Sequence, residues 1–170
     1  MLILYALAAR AEVVDPREYA IKATYIYKFA PFVQWPDAAF ASSSSTIDLC
    51  VVGADPFGAV LEEAIAGQSI HERPIVLRHV AMASRDSGCH IMYVGGSPLQ
   101  SVAEALGAVR GAPVLTITDA ALDADAKGII HFVVRDNRVR FDIDDYAASE
   151  NGLVLSSKVL SLALSVKPRA

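Results

Sequence analysis

Ile47-Asp48-Leu49-Cys50-Val51-Val52-Gly53-Ala54-Asp55-Pro56 is an apolar run that stops on turn residues, and Phe57 to Ala66 then reads as a helix closed by Gly67. A short apolar run bounded by Gly and Pro predicts a strand buried on both faces, and a helix directly after it predicts a crossover to a parallel neighbour. The same punctuation recurs downstream. Arg73 to Val80 predicts a second strand, and His90 to Val94 a third that ends in Gly95-Gly96-Ser97-Pro98. Leu99 to Leu106 predicts a helix and Pro113 to Thr118 a fourth strand. Strands alternating with helices argue for a parallel sheet with helices on its faces.

On the N-terminal side, Pro16 to Val33 predicts a helix with Asp15 as N-cap and Pro16 at its first position, ended by Trp35-Pro36. Ile21, Tyr25, Phe29 and Phe32 recur on it at helical spacing, a stripe that either packs as core or stays partly exposed as a docking ridge. On the C-terminal side, Gly128 to Arg135 and Arg138 to Asp144 predict two strands joined by Asp136-Asn137, a tight hairpin turn. Val139, Phe141 and Ile143 alternate with Arg138, Arg140 and Asp142, as on a half-exposed strand at a sheet edge. Leu153 to Val166 predicts a last amphipathic helix before Pro168. The expected fold class is α/β: a three-layer sandwich with a mixed, mostly parallel sheet, a C-terminal antiparallel hairpin and helices on both faces.

Residues 2–9 are apolar, and Ala9-Arg10-Ala11 follows with small residues at the two positions a signal peptidase reads, although no basic segment precedes them. Residues 1–11 therefore read as a truncated signal-peptide remnant, against the plainer reading of an apolar N-terminal turn. Residues 12–170, about 160 residues, suffice for one domain with its own core. The remnant is far short of the about 20 residues that span a bilayer, so no direct membrane insertion is expected. The chain is 54% apolar with a net charge of −4, which offers nucleic acid no electrostatic footprint.

Catalytic patterns are missing. His71, His79, His90 and His131 are isolated, and Cys89 and His90 would point to opposite faces of a strand, so no metal site is expected. Gly53 and Gly58 bracket a strand-to-helix turn but lack the Lys and Ser/Thr of a phosphate loop. The third strand ends in Gly95-Gly96-Ser97, where a response-regulator receiver needs its phosphoacceptor Asp. Asp55, Ser97, Thr118 and Asp119 gather at the C-terminal strand ends, where open α/β sheets bind ligands. They are candidates for a small-molecule site centred on Asp55, Ser97 and Asp119; the alternative is that they cap the following helices. No cofactor is expected.

The chain resembles the YfiR family of small periplasmic regulators. The resemblance rests on Lys22…Lys28-Phe29…Phe32-Val33-x-Trp35-Pro36, on Leu49-Cys50-Val51-Val52-Gly53-x-Asp55-Pro56-Phe57-Gly58 and on Cys89-His90-Ile91-Met92-Tyr93-Val94. It continues through Pro113 to Asp119, Gly128-Ile129-Ile130, Val139 to Ile143 and Gly152 to Ala163. It implies a periplasmic, non-enzymatic protein that represses an inner-membrane signalling partner. The partner that the resemblance implies is the periplasmic sensor domain of a diguanylate cyclase, or of a histidine kinase; pairing with a second copy of the chain stays open. The best-known branch carries a further cysteine pair near the loop entering the Gly128 strand, which this chain lacks. Candidate partner-binding residues are Trp35, Ile130, Phe132, Arg138, Arg140 and Asp142, each of which has ordinary core or solvated edge as its alternative. The first and third strands of a doubly wound sheet are neighbours, so Cys50 and Cys89 are expected to form a structural disulfide. That pairing suits an oxidising compartment.

Overall fold

The computed structural model describes residues 14–170; the expected signal-peptide remnant lies outside them. Helix α1 (Pro16–Phe29) starts where expected, with the Asp15 carboxylate accepting from the Arg17 N–H at 2.9 Å. It passes into a single 3₁₀ turn over Ala30–Phe32 and a two-residue strand, β1 (Val33–Gln34). The chain then runs through β2 (Ile47–Gly53), α2 (Ala59–Ile65), β3 (Ser69–Ile70), β4 (Arg73–Val80), β5 (Ile91–Gly96), α3 (Val102–Ala108) and β6 (Leu115–Asp119). It ends with β7 (Ile130–Arg135), β8 (Arg138–Asp144), α4 (Asp145–Glu150), β9 (Val154–Leu155), α5 (Ser157–Leu162) and β10 (Ser165–Lys167).

The main sheet has the order β10-β8-β7-β6-β5-β2-β4-β3. Its five central strands, β4, β2, β5, β6 and β7, are parallel, β8 turns back antiparallel on β7, and β3 on β4. The expected mixed α/β sandwich with its C-terminal hairpin is the fold observed. Asp136 and Asn137 adopt φ of 51° and 58°, the two left-handed positions a tight hairpin turn demands. β1 and β9 pair separately, clamping the exit of α1 to the C-terminal segment.

Alternation along each strand sorts the side chains into two cores. Leu49 and Val51, Ile91 and Tyr93, Ile117, Phe132 and Phe141 face α1 and α2. Cys50, Val52, Met92 and Val94 face the other way, onto Val102, Ala105 and Val109 of the α3 region. Cys50 and Cys89 are joined on that second side with their Cα atoms 5.8 Å apart, as expected from the adjacency of β2 and β5. Ser101 caps α3 reciprocally with Glu104, so the helix begins three residues later than the sequence suggests.

Two expectations need correction. The buried stripe of α1 that faces the sheet is Tyr19, Lys22, Ala23, Ile26 and Phe29; of the residues expected at helical spacing, Phe29 enters the core, Tyr25 and Phe32 are half-buried against it and Ile21 is 48% exposed. The aromatic periodicity concealed this rotation because both faces of α1 are apolar. The final segment, Leu153 to Val166, is not one helix. Val154–Leu155 pairs with β1, Ser156 caps the short α5, and Ser165–Lys167 adds to β8 in parallel. Ser156 can satisfy backbone donors from a non-helical conformation, and the outer edge of β8 supplies partners for the last residues. β8 is therefore an edge only over its first half. Arg169 fixes the C-terminus by a two-pronged contact with Asp145, both bonds 2.9 Å.

Candidate functional site

The crossover direction reverses between β2 and β5, the topological position where open α/β sheets leave a ligand crevice. Here the strand ends close on each other. The Ala54 N–H donates to the Gly96 carbonyl at 2.9 Å, and a Cβ on Gly53, whose φ is +76°, would stand 2.5 Å from that oxygen. Asp55 accepts from the Phe57 N–H at 2.8 Å and contacts His79 Nε2 at 2.8 Å, and the Ser97 hydroxyl accepts from the Leu99 N–H. Both side chains are engaged in local turns. Asp119, the third candidate, points inward.

Asp119 forms the centre of a buried polar cluster beneath α1. One carboxylate oxygen accepts from Lys22 Nζ at 2.7 Å, from the Tyr19 hydroxyl at 3.1 Å and from the Tyr93 hydroxyl at 3.2 Å. The other accepts from the Ala121 N–H at 3.0 Å. Lys22, fully buried, also contacts Glu18 one turn earlier and lies 4.5 Å from the Tyr19 ring centroid. Burial, and then the Asp119 charge, push the Tyr19 and Tyr93 hydroxyls well above the usual phenol range, so both remain donors. Sequence reasoning missed this cluster. The signal was Lys22 itself, a cation three residues after Tyr19 and four before Ile26 on the buried stripe.

His131 lies on the opposite side of the sheet, with Nδ1 2.7 Å from the Thr118 hydroxyl, which in turn accepts from the Gly128 N–H at 2.8 Å. Burial, reinforced by Lys127, holds this imidazole below its ordinary value of 6.5. The folded chain therefore resists a proton that the unfolded chain accepts as pH falls through about 6.5, so stability present above that pH is lost below it. Urea unfolding between about pH 7.5 and pH 5 should show a steeper loss of midpoint for the wild type than for His131→Gln. Equal slopes would show that His131 carries none of the dependence.

Among the described residues, no group of three or more His, Cys, Asp or Glu side chains could hold a metal ion. Both nitrogens of His90 are engaged, Nδ1 with the Asp48 N–H and Nε2 with the Ala39 carbonyl.

The partner-binding candidates separate. Ile130 and Phe132 are 1% and 0% exposed, so in this conformation they are core; β7 turns outward only at Val134 and Arg135. Trp35 lies against Phe40 and donates its indole N–H to the His90 carbonyl. Asp142 accepts from Ser165 of β10. Arg138 and Arg140 instead border a groove of about 1030 Å³ between α1, the β7–β8 hairpin and α5. Its floor contains Tyr25, Phe29 and Phe141, with Phe29 and Phe141 edge to face at 4.7 Å between centroids. Ile21, Val134 and Leu162, respectively 48%, 48% and 60% exposed, form its walls, and Phe32 closes one side. Residues of the aromatic stripe that do not enter the core thus line this surface. A smaller cavity of about 290 Å³ between α3 and α4 is bordered by Arg110, Lys127 and Lys167 but also by Asp144 and Glu150.

A family model described as YfiR/HmsC-like matches residues 19–164. No curated protein matches the chain. The match begins within α1 and ends just before β10, and so takes in the disulfide, the buried cluster and the residues of the groove from Tyr19 onward.

Proposed function

The chain belongs to the YfiR/HmsC-like family, and from that premise we propose that it is a periplasmic, non-enzymatic regulator. In this reading it binds the periplasmic sensor domain of an inner-membrane diguanylate cyclase and holds the cyclase inactive, lowering cyclic di-GMP. The observation that carries the reading is the family match itself, which extends over residues 19–164. Two features support it. The Cys50–Cys89 bond suits an oxidising compartment, and no helix among the described residues is long and apolar enough to cross a membrane.

Repression of this kind is a population shift: the regulator must bind the inactive partner better than the active one. Moving a partner from almost fully active to almost fully inactive takes a preference of about 10⁴-fold. Such a preference needs an apolar centre with a polar rim, and Arg138 and Arg140 stand at the edge of the surface that offers both. A small-ligand sensor using Asp55, Ser97 and Asp119 is the weaker reading, because these side chains are already engaged within the fold.

Crosslinking a tagged copy in the periplasm of its host tests the reading. The expected product is an adduct with an inner-membrane protein that carries a cytoplasmic cyclase domain. Adducts with soluble periplasmic proteins alone would contradict it.

A further inference from the structure

We propose that the groove between α1, the hairpin and α5 seats an acidic amphipathic helix of the partner protein; this rests on the regulatory reading above and names the chemistry of its contact. The argument is one of shape and charge. Of the exposed large apolar side chains on the chain, Ile21, Val134 and Leu162 surround the same concave surface, and Tyr25 and Phe32 continue it. Apolar side chains at i, i+3 or i+4 and i+7 on a guest helix would fill such a groove.

The charges around it are predominantly positive. Arg17, Lys28, Arg138 and Arg140 border the groove, and none of them makes a salt bridge among the described residues. Two carboxylates also line it: Asp15 caps α1 and keeps its charge, and Glu18 shares Lys22 with Asp119, so four cations outnumber two acids around the groove. A chain with net charge −4 thus concentrates unpaired cations around its exposed apolar groove. A guest whose apolar face is flanked by Asp and Glu complements that rim, and one flanked by Lys is repelled. A flat anionic membrane also pairs apolar with basic surface, but Phe29 and Phe141 lie at the bottom of a concavity that a bilayer surface cannot follow.

The test uses two synthetic peptides of about 18 residues, five helical turns. They share a leucine face and differ only in carrying glutamates or lysines beside it. Fluorescence anisotropy with the full chain should show the glutamate peptide binding at least about tenfold more tightly at low salt, with the difference shrinking as salt rises. R138E/R140E should reverse the preference and Leu162→Asp should abolish binding, in variants whose unfolding midpoint and lack of free thiols match the wild type. Failure of the glutamate peptide to bind, or equal binding of both, overturns the proposal. So does co-sedimentation with phosphatidylglycerol vesicles that L162D abolishes while peptide binding is absent.

A cellular arm separates this proposal from the reading it rests on. Where deletion of the gene raises cyclic di-GMP and R138E/R140E restores full repression, the groove is wrong and the repressor stands. Where deletion changes nothing, the repressor reading falls and the peptide measurement alone decides the groove.

Discussion

Replacing Asp119 with leucine should lower the stability of the chain by about 3–5 kcal/mol, the cost typical of removing one member of a buried ion pair. The change leaves Lys22, which is 0% exposed, with Glu18 as its remaining partner, and removes the shared acceptor of the Tyr19 and Tyr93 hydroxyls. Lys22→Met should cost less, because Asp119 would keep both phenol donors and the Ala121 N–H. The double variant Lys22→Met, Asp119→Leu should recover part of the loss, since it removes both fully buried charges and leaves only the partly exposed Glu18 without its lysine. Urea unfolding of the four proteins measures the coupling. Strict additivity of the single changes would mean that the pair does not act as a unit.

The second large effect concerns the disulfide. The bond joins residues 39 positions apart, and its loss should destabilise by about 2–4 kcal/mol. The double variant Cys50→Ala, Cys89→Ala should unfold at correspondingly lower urea, and the wild type should lose about the same on reduction. Cys50 is fully buried and Cys89 nearly so, hence reductant should act only after the fold opens. Slow reduction of the native chain by dithiothreitol, accelerated by subdenaturing urea, is the expected course. Rapid reduction without urea would mean that the bond is exposed and labile.

Much of this architecture was legible because its signals are local. The strands around Cys50, Met92 and Ile117 are short apolar runs bounded by Gly and Pro, and the Asp136-Asn137 turn requires a backbone that few other dipeptides supply. The adjacency of β2 and β5, and with it the disulfide, followed from doubly wound topology. The C-terminal segment was misread because a six-residue helix and a three-residue strand carry too little periodicity to be separated. Their placement is settled by the free edge of β8, a long-range feature.

The candidate surface was half legible. Arg138 and Arg140 were identified from alternation on β8, yet Ile130 and Phe132 on the neighbouring strand enter the core, because β7 is covered on both faces along its first half. Ile21 and Tyr25 could not be assigned to the groove from sequence, since apolar residues on both faces of α1 make its orientation ambiguous, and Leu162 could not because the sequence does not resolve the short α5 that carries it. Lys22 was visible as a cation on an apolar helix, but its partner Asp119 lies 97 positions away and only the sheet brings the two together.

Cyclic di-GMP in a deletion strain complemented with two forms of the chain tests the central claim most directly. One form carries an export signal and the other stays in the cytoplasm. Deletion should raise cyclic di-GMP, and only the exported form should return it to the starting level. An unchanged level on deletion, or equal restoration by the cytoplasmic form, would contradict a periplasmic repressor.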